Sequence, residues 1–273
     1  MNAVKPESKF AEAGGVRIHY LEQGSGEPVV CLHGAGPGAS GWSNFRGNLA
    51  ALSQQYRVII PDLPGFGLSD KPAGGVEKPL AENSRVLASF FDTVGLDRAS
   101  LIGNSMGGAT TARFALDHPH RVGRIVLMGA PGAGLGTLGP QPPEGIRAMR
   151  SYFDNPSKEA MRALVRTFVY DASFVTDQLL EERYEASVEP GHLQFMRSRD
   201  PLEDMSAELH RLGAPTLLVW GQEDRFVPVE VGLKYLRLLQ NAQLHVFSRC
   251  GHWAQVEQAE RFNRLVLEFL REA

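Results

Sequence analysis

Three polar residues, far apart in the chain, have the types and the order needed for nucleophilic catalysis: Ser105, Asp224 and His252. Ser105 stands in Gly103-Asn104-Ser105-Met106-Gly107-Gly108, a G-x-S-x-G segment. A hydroxyl is a weak nucleophile until a base takes its proton, and histidine has the pKa for that work. His252 lies in Cys250-Gly251-His252-Trp253, and Asp224 closes Gly221-Gln222-Glu223-Asp224. Serine, acid, histidine is the chain order expected when the nucleophile sits on a strand–turn–helix elbow. Glu223 competes for the part of the acid, and the G-x-x-D spacing favours Asp224. His33 and His245 are the rival histidines, but His245 falls inside a strand pattern. Acyl transfer also needs donors for a developing oxyanion. His33-Gly34-Ala35-Gly36 supplies such a loop, so the expected donors are the N–H of Ala35 or Gly36 and that of Met106. His33 is expected to orient this loop through hydrogen bonds.

These residues need elements that bring them together. An apolar run at 99–102 feeds the elbow, and a helix is expected over 109–116. Gly103 and Gly107 are small enough to let strand and helix approach. Runs at 28–32, 214–220 and 242–247 read as strands that end just before His33, Asp224 and His252. Further strands are expected at 16–22, 58–62 and 125–128, a helix at 81–94, and a turn-rich loop at 62–70 on the elbow side. Alternating strands and helices predict an α/β-hydrolase fold, with a mostly parallel central sheet flanked by helices. The site then lies at the C-terminal ends of the strands. The alternation breaks at a stretch rich in Gly and Pro, 129–145, and 144–199 shows helical periodicity alone, including 158–168 and 176–187. The expected division is a core of 1–130 and 202–273 with a helical cap, 131–201, that shields the reaction from water.

Bulk properties exclude some functions. A chain of 273 residues can bury a large core. A formal net charge of -3 leaves no electrostatic footprint for nucleic acid. No apolar stretch approaches the roughly 20 residues that span a bilayer, and the polar start of the chain shows no secretion signal, which points to the cytoplasm. Cys31 and Cys250 are then expected to be reduced, buried thiols.

The segment His33 to Asn44, the elbow and Cys250-Gly251-His252-Trp253 together resemble the meta-cleavage product hydrolases, C–C bond hydrolases of aromatic and steroid ring degradation. The resemblance runs from about residue 10 to the C-terminus. Ala35 departs from it, because many members carry Gly there. The resemblance implies a small-molecule substrate, a 2-hydroxy-6-oxo-hexa-2,4-dienoate cleaved between C5 and C6. It implies no metal, no organic cofactor, and a homodimer or larger homo-oligomer. It also implies that Arg183 binds the substrate carboxylate, that Asn104 and Asn44 hold polar groups, and that Trp253 lines the pocket. Read without it, Arg183 beside Glu181 and Glu182 is a solvated helix face, Asn104 a residue tolerant of strained backbone, Asn44 a helix cap and Trp253 core packing. Leu138, Phe153, Phe168, Val169, Phe195 and Met196 are apolar enough to surround a phenyl, steroid-derived or alkyl group on C6.

Two other readings share these residues. A carboxylesterase or lactonase would use the same triad without needing Arg183, Asn104 and Asn44 together. A non-hydrolytic receptor on this fold would signal through its cap. Haloalkane dehalogenases and epoxide hydrolases place Asp at the elbow, where this chain has Ser105.

Overall fold

The computed structural model describes residues 4–134 and 141–272. Among these, eight strands form one sheet in the order β1-β2-β4-β3-β5-β6-β7-β8. The strands are β1 (Lys9–Ala13), β2 (Val16–Gln23), β3 (Pro28–Leu32), β4 (Arg57–Pro61), β5 (Ala99–Asn104), β6 (Val122–Met128), β7 (Thr216–Gly221) and β8 (Ala242–Phe247). β1 and β2 form an antiparallel hairpin, and β2 runs antiparallel to β4. From β4 to β8 every pairing is parallel. β1 was not read from sequence: it is a half-exposed edge strand that lacks a continuous apolar run.

The central strands are buried on both faces, which explains their unbroken apolar runs. Side chains alternate between two cores. Val30, Leu32, Leu101, Leu218 and Trp220 enter one, and Val29, Cys31, Ile102, Leu217 and Val219 enter the other. Helices α3 (Pro79–Thr93), α4 (Met106–Asp117) and α9 (Val229–Leu238) pack on the first face. The short helices α1 (Gly41–Phe45), α2 (Leu49–Leu52) and α10 (Ala254–Glu257), with α11 (Ala259–Arg271), cover the second. Cys31 and Cys250 are buried free thiols. Among the described residues no helix is long and apolar enough to cross a membrane.

The order β4-β3-β5 reverses the direction of the connections between β3 and β5. At such a switch point the segments leaving two neighbouring strands part, and a crevice opens at their C-terminal ends. The oxyanion loop leaves β3 there and the elbow leaves β5.

Four helices stand between β6 and β7: α5 (Glu144–Asp154), α6 (Lys158–Phe168), α7 (Asp177–Ser187) and α8 (Pro190–Ser198). The sequence placed α6 and α7 by their helical periodicity, and the structure adds a cap to each. Ser157 accepts from the N–H of Ala160, and Thr176 from that of Leu179. The chain leaves the sheet and returns side by side, since Met205 N–H donates to the Gly132 carbonyl at 2.7 Å.

Candidate active site

Ser105 sits between β5 and α4 with φ 54° and ψ −121°, a strained conformation for a residue with a side chain. Its own N–H is held by the Met128 carbonyl at 2.8 Å. The close packing expected of the glycines is present. A Cβ at Gly107 would lie 2.1 Å from the Leu32 carbonyl oxygen, and one at Gly103 would lie 2.3 Å from that of Gly107. The helix begins at Met106, earlier than the sequence suggested, because the turn is a single residue.

Asp224 and His252 meet as expected. His252 Nδ1 lies 2.7 Å from Asp224 Oδ2, with both side chains buried. The other carboxylate oxygen accepts the N–H of Phe226 at 2.8 Å and of Val227 at 2.9 Å. A carboxylate oxygen accepts, so Nδ1–H donates to Asp224, and in the neutral ring Nε2 is the nitrogen with the free lone pair. That Nε2 is buried without a partner. Glu223, the rival acid, faces elsewhere and accepts the Cys250 N–H at 2.9 Å. His245 stays on β8, away from this cluster.

The loop after β3 lies against the elbow: a Cβ at Gly34 would stand 3.0 Å from Ser105 Cβ. The N–H groups of Ala35, Gly36 and Met106 have no acceptor among the described residues. His33 orients the loop. Its Nδ1 meets the Gly34 carbonyl at 2.8 Å, and its Nε2 accepts the Leu63 N–H at 2.9 Å. Burial holds its pKa below the usual histidine range, in keeping with a neutral ring.

Gly34, Ala35, Gly36, Asn44, Asn104, Ser105, Phe168, Arg183, His252 and Trp253 line one cavity. Its volume is ≈ 10 Å³, room for about one water. Arg183 is no solvated helix face: it is 3 % exposed. A Cβ on Gly36 would stand 2.8 Å from its Nη2. It forms no ion pair among the described residues, and its Nε has no acceptor. Desolvation pulls its pKa down to about 10, which still leaves it charged at neutral pH. The Trp253 and Phe168 rings, 5.1 and 5.8 Å from the guanidinium carbon, soften that burial.

Asn44 is buried inside α1 and accepts the Gly34 N–H at 3.3 Å; the helix cap is Ser40. Asn104 Nδ2 donates to the His252 carbonyl at 3.3 Å, so it ties the elbow to the histidine loop. Trp253 stacks on Phe168 at 4.5 Å, and Phe168 stacks in turn on Phe226 at 4.2 Å. Of the apolar residues expected around the C6 group, Phe168 lines this cavity and Phe195 a neighbouring one. Phe153, Val169 and Met196 line neither, being spent on packing among the helices, and Leu138 lies outside the described residues.

Residues 27–259 match the α/β-hydrolase-fold family. A 2-hydroxy-6-oxononadienedioate/2-hydroxy-6-oxononatrienedioate hydrolase of Burkholderia vietnamiensis is 47 % identical, with 94 % of this chain and 91 % of that protein aligned. A 2-hydroxy-6-oxo-6-phenylhexa-2,4-dienoate hydrolase of Comamonas testosteroni is 45 % identical, over 97 % of this chain and 96 % of that one. The solved structure of a meta-cleavage product hydrolase from Pseudomonas fluorescens superposes with a TM-score of 0.88 at 40 % identity, covering 96 % of each chain. The chain belongs to the meta-cleavage product hydrolases.

Sequence reading of this hydrolase missed two residues at the site. Gly129, at φ +49°, leaves room for the acid–base pair, since a Cβ there would stand 2.8 Å from His252 Nδ1. Glu257 is half-buried, and its carboxylate accepts the N–H of Gly251 at 2.7 Å, Tyr170 at 2.7 Å and Asp171 at 3.1 Å. Burial raises its pKa despite those donors. A glycine following a strand and a Glu five residues after the histidine were the only available signals, and neither is specific.

Proposed function

We propose that this chain hydrolyses the C5–C6 bond of a 2-hydroxy-6-oxo-hexa-2,4-dienoate, releasing a 2-hydroxypenta-2,4-dienoate and a carboxylic acid. The observation that carries the reading is Arg183, a buried cation without an anionic partner in the same cavity as Ser105. An esterase acting on neutral esters has no use for it. A dienoate carboxylate does, and a guanidinium offers it two parallel donors.

The steps follow from the substrate. In the dienol, C5 belongs to a double bond and cannot leave. Proton transfer from the 2-hydroxyl side to C5 gives a 2,6-dioxo form in which the double bond lies at C3=C4 and C5 is a saturated carbon that can leave with the electron pair. His252, held by Asp224, takes the Ser105 proton as Oγ attacks C6. The oxyanion forms against the N–H groups of Met106 and of Ala35 or Gly36, each worth about 3 kcal/mol in the transition state. The C5–C6 electron pair then flows through C4 and C3 to the C2 oxygen. Arg183 and Asn104 are placed to favour the resulting dienolate. His252 passes the Ser105 proton to the departing dienolate, and the restored base then takes a proton from the water that frees the acid from Ser105. Asn44 holds the oxyanion loop, and Trp253 walls the dienoate.

We assign the helical segment, 131–201, as a cap over a core of 1–130 and 202–273. The cavity is too small for a dienoate as it stands, so the cap must shift to admit one.

The test is the loss of dienolate absorbance when purified protein meets 2-hydroxy-6-oxo-6-substituted dienoates. Wild type is expected to bleach the substrate, and Ser105→Ala to lose on the order of 10⁴-fold or more in kcat. Ser105-dependent hydrolysis of simple esters without bleaching would leave an esterase instead.

A further inference from the structure

A second histidine in this protein is held the way His252 is. His19, on β2, is buried, and its Nδ1 lies 2.7 Å from Oδ2 of Asp62, just past β4. Asp62 is buried too, and the chain aims both of its oxygens. Oδ1 accepts the Gly41 N–H at 2.7 Å and Oδ2 the Leu68 N–H at 2.9 Å. Burial works against its charge, yet His19 and those donors hold its pKa below the usual carboxylate range. A carboxylate oxygen accepts, so Nδ1–H donates to Asp62, and in the neutral ring Nε2 is the acceptor. That Nε2 stands 3.0 Å from the hydroxyl oxygen of Ser8, an exposed residue just before β1. The Phe10 ring packs on the imidazole, 5.3 Å between centroids.

Hydroxyl, imidazole and carboxylate in series are the parts of a nucleophilic triad, which is recognised by geometry and roles whatever the chain order. This one shares no residue with the lining of the Ser105 cavity. It differs from Ser105 in exposure. An oxyanion formed on Ser8 is met by water instead of preorganised donors in a closed cavity. The electrophile must therefore bring a good leaving group, and a C–C bond is out of reach.

We propose that Ser8 is a second, activated serine, which takes an acyl group from activated acyl compounds of the aryl ester class. His19 Nε2 accepts the Ser8 proton as Oγ attacks the acyl carbon, and Asp62 balances the imidazolium that forms. The bond from the acyl carbon to the phenolic oxygen breaks. The phenolate leaves with the electron pair and takes the proton from Nε2, so that one aryl ester and one hydroxyl become an acylated Ser8 and a phenol. The proposal is independent of the C–C hydrolase reading.

The experiment uses Ser105→Ala, in which the elbow serine cannot be the acceptor, with 4-nitrophenyl acetate as probe and peptide mass mapping as readout. Ser25, an exposed serine, is the internal reference. Ser8 is expected to be acetylated about 100-fold faster than Ser25, the gain from a positioned general base. Adding His19→Gln should bring Ser8 down to the Ser25 rate. If that variant does not fold, the ratio of Ser8 to Ser25 in the His19 protein decides alone. Acetylation of Ser8 no faster than of Ser25, or undiminished in a folded His19→Gln variant, would overturn the proposal.

Discussion

The sheet-end wall of this site and its helical wall are held by different physics. On the sheet side, Ser105 and Asp224 follow β5 and β7, strands buried on both faces, and His252 follows the edge strand β8. Their positions are enforced by a positive-φ serine, by glycines with no room for a methyl group, and by a carboxylate saturated with donors. On the helical side, Arg183, Phe168 and His192 are fastened by a few bonds across the gap. The Phe168 carbonyl accepts the His252 N–H at 2.7 Å. His192 Nε2 accepts the Gly38 N–H at 3.4 Å, and its Nδ1 meets the Gly65 carbonyl at 2.8 Å. Glu257 bridges the two sides. The residues proposed for the chemistry, which tolerates little displacement, stand on the sheet-end wall, and those proposed for recognition stand on the helical wall.

That contrast is broken most severely on the rigid side. Asp224→Asn should cost about 10⁴-fold in kcat with little change in KM, because the imidazole loses the acceptor that fixes its tautomer. Stopped-flow kinetics with a dienoate checks this, and a large KM effect would mean that Asp224 also shapes the binding wall.

Arg183→Met tests the opposite wall. KM for a dienoate should rise on the order of 100-fold, while the melting temperature should rise by about 2–5 °C as an uncompensated buried charge disappears. A stability gain with a binding loss is the signature of a residue kept for ligand. A lower melting temperature would make Arg183 a structural residue.

Glu257→Gln sharpens the boundary between the walls. One amide nitrogen must then face N–H donors on either Gly251 or the Tyr170–Asp171 pair, so one tether is lost. A fall in kcat of about 10-fold with KM nearly unchanged would place its effect on His252. A KM change instead would place it on the helices.

Much of the core side was legible in the sequence for a physical reason. A nucleophile elbow is a local object, and its demands for a small residue before and after, an apolar strand upstream and a helix downstream fall within one short segment. Asp224 could be placed because a buried parallel strand writes a continuous apolar run and the site follows its end, and His252 because it follows the next strand in the chain order that the fold requires. Arg183 could not be placed by pattern. Its neighbours Glu181 and Glu182 make the segment read as a solvated face, and only the family resemblance pointed to it. Asn104 was placed near the nucleophile, but not its bond to the His252 carbonyl, because backbone partners far apart in sequence leave no trace in composition.

The sequence by itself determined the candidate chemistry: which groups are of the type to react, their order along the chain, and the end of the sheet on which they stand. Those follow from local sterics, strand periodicity and the pKa values of a few side chains. Only the tertiary structure decided the recognition. Whether an arginine is solvated or stranded depends on every element packed around it, and the same residue type is paired at Arg113 and unpaired at Arg183 and Arg199. Burial without an ion-pair partner is a property of the assembled molecule, and it is what supports the reading of Arg183 as the site of a substrate carboxylate.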